Sequence, residues 1–337
     1  MVVTAAAIAA CSGADPIVYT DRVPYEWELW EMEAGAPDAA PATTGSAAAA
    51  AAPNLPKLSE RFVFPPDNFW NRDISGQPLD PQGQKWLETI GLDTPLKADF
   101  TPPDLTEGKP GHGIPYQFVA GNAKKVPVKF EYADESDPGP YPIPDNPLIE
   151  RGPDHHILMI DQDNWLLYEL WDAKLDGSQW KAGCGAVFDL KTNKARPAGW
   201  TSADAAGLAI FPGLVRADEV IDKKAINHAL RFTVKVTQRA YVYPASHFAS
   251  DKKDPKLPPM GMWVRLKSSF NIDGFSPNVQ VILKALKRYG MILADNGSDM
   301  YISGAPDPRW VNEELRQLGR VRTRDLEVIK SGELVTK

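Results

Sequence analysis

From Val126 onward the chain falls into short runs: VPVKFEY, HHILMID, NWLLYELWD, CGAVFDL, LRFTVKV, AYVYP, GMWVRLK, YGMILAD and DMYISG. Each is rich in β-branched and aromatic residues and is bounded by turn-forming ones, which is the pattern of strands rather than helices. The 31 prolines and 25 glycines between such runs leave few windows long enough for a helix. Three windows qualify. DPQGQKWLETIGL is one and DPRWVNEELRQLGRV another. SPNVQVILKALKRYG is the clearest, with Ser276 placed to cap, Pro277 in the first turn and Gly290 at the end. Val279, Ile282, Leu283 and Leu286 form its apolar stripe. The fold class that follows is mainly β: a single-domain β-sandwich or jelly-roll-like fold with a few peripheral helices. A mixed α+β domain is the alternative.

The amino-terminal part reads differently. Residues 1–11 end in AAAIAAC, small and apolar before Cys11, which resembles the lipobox of bacterial lipoproteins in a degenerate signal lacking a basic start. Residues 12–57 are acidic, then Ala/Pro-rich, and read as a tether. Residues 58–337 are expected to form one globular β-rich domain. With Cys11 lipidated, only Cys184 remains, a small residue suited to burial. A net charge of −7 without a Lys/Arg block argues against a nucleic-acid partner. The expected partners are a membrane, reached through the lipid anchor, and a polysaccharide.

The stretch DHHILMIDQDNWLLYELWDAK concentrates the chemistry. A two-residue turn at Asp163-Asn164 would pair 158 with 169, 160 with 167 and 156 with 171. One face then carries His156, Leu158, Ile160, Leu167, Glu169 and Trp171; the other, with Ile157, Met159, Tyr168 and Leu170, reads as core. A tryptophan beside a carboxyl group and an imidazole suits a sugar site, with Glu169 as proton donor. The competing reading of Glu169 is a solvated or salt-bridged strand residue.

Residues 196–220 are the most distinctive stretch. Thr201-x-x-Asp204 fits a capping box opening a short helix, which is the structural reading of Asp204. Trp200, Asp204, Arg216 and Glu219 could reach a ligand from this stretch, and Arg216 could hold a carboxylate bidentately. His228 and His247 read as hydrogen-bonded structural histidines, and their spacings match no zinc signature. ADNGSD at 294–299 reads as a turn rather than a calcium loop. No GxSxG elbow, P-loop or post-strand GxGxxG is present, so no cofactor and no metal are expected.

Seven pieces, FPPDNFWNRDIS, ADESDPGPYPIP, LYELWDA, RPAGWTSADAAGLAIFPGLVRADEV, INHALRFTV, LPPMGMWVRLK and ALKRYGMILADNGS, carry a resemblance over nearly the whole folded region. From Phe64 onward the chain resembles a broad group of exported bacterial proteins without a described activity. The resemblance implies one domain, export and the company of polymer-degrading bacteria, but no catalytic residue. That group's motif before the long strand is closer to Asp-Arg-His, where this chain has Asp154, His155 and His156.

Two functional expectations follow. The first is a carbohydrate-active enzyme cleaving an extracellular polysaccharide. As a hydrolase it would pair Glu169, as acid or nucleophile, with Asp189 or Asp204, and use His156, Trp171 and Trp200 to bind sugar. As a lyase it would use His247, Tyr243, Arg231 and Arg216 around a uronate. The second is a non-catalytic glycan-binding or envelope-scaffold lipoprotein.

Overall fold

The computed structural model describes Leu58, residues 61–103 and residues 111–336. Cys11 with its lipobox, and the acidic and Ala/Pro-rich segment up to residue 57, lie outside the described residues. The strands are β1 (Lys97–Asp99), β2 (Tyr116–Val119), β3 (Val128–Phe130), β4 (Ile157–Asp161), β5 (Leu166–Trp171), β6 (Lys174–Asp176) and β7 (Gln179–Ala182). They continue with β8 (Cys184–Asp189), β9 (Leu230–Val234), β10 (Trp263–Leu266), β11 (Met291–Asn296), β12 (Tyr301–Ser303) and β13 (Leu326–Val328). The fold is β-rich, with few helices. Its strands form three sheets, ordered β1-β12-β9-β11-β10-β13, β2-β4-β5-β8 and β3-β7-β6. Each sheet mixes parallel and antiparallel pairs; β9 runs parallel to β11 and antiparallel to β12, for example.

Helix α1 spans Gly83–Ile90 and α2 spans Pro277–Arg288. In α2, Val279, Ile282, Leu283 and Leu286 are all buried, and the helix packs on β10. Each such side chain contributes roughly 1.5–3 kcal/mol by leaving water. Ser276 has the extended backbone of an N-cap but its side chain makes no capping bond. Gly290, at φ +69°, takes the left-handed turn that ends the helix region. The third expected helix is tighter: one α turn, α3 (Asn312–Leu315), passes directly into a 3₁₀ segment, Arg316–Arg320. AYVYP forms only isolated bridges at Tyr241, to Met260 and Val335.

The β4–β5 hairpin keeps the expected register, with Leu158 opposite Glu169 and Ile160 opposite Leu167. Its loop differs. Residues 162–165 separate the strands, because the Asp161 carboxylate accepts the amides of Asp163 and Asn164 and curls the loop back. Trp165 then turns inward at φ 54°, its indole N–H donating to the Val63 carbonyl at 2.9 Å.

The faces also differ from expectation. The one expected to form a cleft, with Leu158, Ile160 and Leu167, packs into the larger hydrophobic core alongside Phe232 and Ile302. The opposite face, with Ile157, Met159, Tyr168 and Leu170, builds a second, smaller core with Tyr141 and Ile143. The apolar residues of the hairpin are therefore covered on both sides.

Candidate functional site

The polar side chains that surround an open space come mostly from outside the hairpin, with His156 from its expected cleft face among them. In the six-stranded sheet, Tyr301 pairs with Thr233, and Thr233 with Asp295, so these three share a row across β12, β9 and β11. A bulge makes this possible. Leu293 pairs with Phe232 but Asp295 with Thr233, leaving Ala294 as the extra residue. Unbulged pairing would put Ala294 beside Thr233 and turn Asp295 to the other face. One row away, Asp99 pairs with Ser303. Segment 150–156, which leads into β4, supplies the wall with Glu150, Asp154 and His156. The pocket so formed has about 510 Å³ of empty space, open mouth included, and is also lined by Ile114, Arg231, Asn296 and Ser298.

The turn into β4 is made by His155, whose backbone is left-handed at φ 45°. Histidine is among the non-glycine residues that tolerate this region. It sends His155 outward, its Nδ1 3.6 Å from the Asp172 carboxylate, while His156 is buried against the pocket. His156 bonds Glu150 through Nδ1 and donates from Nε2 to the Ala203 carbonyl at 3.0 Å. Burial alone would depress its pKa, but the Glu150 carboxylate outweighs burial and raises it to about 9. Across the pocket, Arg231 donates from Nε and Nη2 to the two Asp204 oxygens at 2.8 Å each, from Nη1 to Ser303, and again from Nη2 to Asp295 at 3.4 Å.

Two carboxyl groups here are shifted toward neutrality. Burial, reinforced by the nearby Asp204 charge, pushes Asp295 up to about 8. Burial, reinforced by Glu150, pushes Asp154 up to about 6. Asp154 also raises Asp295, less strongly, as a like charge does. Behind Asp154 stands Trp171, whose indole N–H reaches its carboxylate at 3.5 Å. A Cβ on Gly183 would lie 2.1 Å from the Trp171 ring, so the chain touches that ring closely. Trp171 supports the pocket wall.

The sequence candidates thus separate. His156 and Arg231 line the pocket, and Asp204 holds Arg231 instead of capping a helix; residues 203–207 form turns and bends. Glu169 does not line it. It is fully buried, accepts the amides of Ile210 and Phe211 at 2.9–3.0 Å, and is pushed up to about 7, chiefly by burial. Asp189 lies at the end of β8, accepting the Lys191 amide at the surface. Tyr243 is 44% exposed and packs edge-on against Phe69. Trp200 lies under the Arg196 guanidinium, and Arg216 is buried with Glu219, which also bonds His228. His247 is buried, donates to the Ala205 carbonyl and has its pKa lowered by burial.

Sequence reasoning passed over Asp295, Asp99 and Glu150, and used Asp154 only as part of a motif. The signal for Asp295 was the polar step at the end of the apolar run YGMILAD, which reads equally well as a turn. Cys184 is a free, buried thiol, pushed up to about 12 by burial. Among the described residues, no group of three or more His, Cys, Asp or Glu is arranged to hold a metal ion, and no helix is long and apolar enough to cross a membrane. Comparison with known proteins returns no match: no family model fits the chain, and no curated protein or solved structure is similar to it.

Proposed function

We propose that this protein is an exported, lipid-anchored hydrolase of an extracellular polysaccharide, with Asp295 and Asp154 as its acid and base. The observation that carries the reading is their common pocket, where one carboxyl is raised to about 8 and the other to about 6. Near neutral pH Asp295 then holds a proton to give to a leaving glycosidic oxygen. Asp154 is largely ionised and serves as base or nucleophile. The two values belong to an interacting pair and describe it jointly.

Hydrolysis is preferred over elimination. A lyase needs a cation to neutralise the substrate carboxylate, and Arg231 already donates from all three nitrogens to Asp204, Ser303 and Asp295. The architecture that accompanies this reading is a sandwich of the six- and four-stranded sheets around the larger core. Cys11 supplies the anchor, and a Cys11→Ala chain that still fractionates with membranes would remove that part.

The test is incubation of the protein with neutral, amino-sugar and uronic-acid polysaccharides, following reducing ends and unsaturated-uronate absorbance together. Reducing ends released by the wild type and lost in Asp295→Asn and Asp154→Asn support the hydrolase. Release that survives both substitutions places the chemistry outside this pocket. Retention on one polymer without cleavage makes a glycan-binding lipoprotein the better reading.

A further inference from the structure

The pocket's hydrogen-bonding inventory narrows the substrate class, on the reading of the pocket as a glycan site. Among the described residues, the cations lining it are His156 and Arg231. Both are committed to the protein. The two ring nitrogens of His156 bond Glu150 and the Ala203 carbonyl. Every nitrogen of Arg231 donates to Asp204, Ser303 or Asp295. The Thr233 hydroxyl donates to the Ser298 carbonyl at 2.7 Å. The lining carboxyl groups are four, Asp99, Glu150, Asp154 and Asp295; an ionised one only accepts, and Asp295 while it holds its proton can also donate one bond.

We propose that the pocket takes an amino sugar, held through its ammonium and hydroxyl donors by these carboxyl groups, and turns away uronic acids. A substrate carboxylate entering here would meet four acidic groups and two cations, each of whose nitrogens already bonds within the protein. An ammonium has the opposite fate: it favours the ionised form of the carboxyl groups it meets and gains charge-assisted bonds. Hydroxyl groups of a neutral sugar find the same acceptors without the charge.

The experiment is a calorimetric comparison of three oligosaccharides of equal length, built from glucosamine, glucose and glucuronate, binding to the full chain at low salt. At about pH 6.5 the glucosamine oligomer carries protonated amines and the glucuronate oligomer its carboxylates. Reducing ends are measured in parallel samples. The expected result is tighter binding of the glucosamine oligomer than of glucuronate by at least about tenfold, with glucose between them. That preference should narrow as salt is added.

Glucuronate binding as tightly as glucosamine overturns the proposal, as does glucose matching glucosamine, or no binding by any of the three. Preferential binding of glucosamine without cleavage supports the amino-sugar assignment while removing the hydrolase reading. Cleavage of all three without preference does the reverse. The comparison needs no substitution, so a misfolded variant cannot obscure it.

Discussion

Glu169 and Asp295 are both carboxyl groups lifted by burial, to about 7 and about 8, yet the two regions are built for different ends. Glu169 is fully buried, and its oxygens receive two main-chain amides from the start of the 3₁₀ turn Phe211–Gly213. Asp295 keeps 18% of its side chain exposed and faces a space that a ligand can enter. A raised pKa therefore does not mark a proton donor by itself. Access and the identity of the partners do: Glu169 clamps the loop after Ala209 onto β5, whereas Asp295 has room to exchange a proton with something that is not the protein.

The sharpest way to break this comparison is to neutralise each group in turn. Asp295→Asn should lower kcat/KM on the cleaved polysaccharide by about 10²–10⁴-fold, the range of a lost general acid. Thermal unfolding should show a native-like transition, since Asn keeps the shape and an acceptor for Arg231. A variant that melts far earlier, or cleaves normally, would deny Asp295 its role. Glu169→Ala should do the opposite, leaving two buried amides without an acceptor. Its cost should be on the order of 2–4 kcal/mol, read from urea unfolding midpoints. Activity per folded molecule should stay close to wild type; a loss at unchanged stability would return Glu169 to the site.

These two residues also show what the sequence could express. The stripe of α2 and the β4–β5 register were legible because both depend on local periodicity and turn chemistry. The use of the hairpin faces was not, because both have apolar centres and alternation does not say which core each enters. The partners of Glu169 lie 41 and 42 residues away, in a loop with no periodic signal. Asp295 depends on the Ala294 bulge, which nothing in YGMILADNGS announces. β1, β6 and β13 escaped notice since each is three residues long and carries charged residues; pairing with neighbours makes them strands.

Titration provides a finer comparison. The native carboxyls of Asp295 and Glu169 are raised from 3.8 to about 8 and from 4.5 to about 7, and native His156 is raised from 6.5 to about 9. In each case the folded state holds its proton over a window where the unfolded chain has released it. The stabilisation is complete below the unfolded value and is lost as pH rises through the folded one. Calorimetry should thus show Tm falling by a few degrees between about pH 6.5 and pH 9. In Asp295→Asn the fall should shrink between about pH 7 and pH 8, while the part above pH 8, due to His156, persists. A Tm that rises across this range would overturn the assignment of all three groups.

The smallest expected effects belong to residues that the sequence grouped with the site and the structure separates from it. Asp189 touches Lys191 at a surface turn, and Tyr243 lies 44% exposed beside Phe69 and Arg72. Asp189→Asn should change stability by no more than about 0.5 kcal/mol, as surface substitutions do. Tyr243→Phe keeps the ring on Phe69 and removes only a hydroxyl, so it should be equally mild. Both variants should retain wild-type kcat/KM and the same pH profile, measured on the polymer that Asp295→Asn fails to cleave. A tenfold loss in Tyr243→Phe would restore the elimination mechanism, in which that hydroxyl abstracts a proton. Retained activity in both, set against its loss in Asp295→Asn, would confine the chemistry to the row Tyr301–Thr233–Asp295 and the wall that faces it.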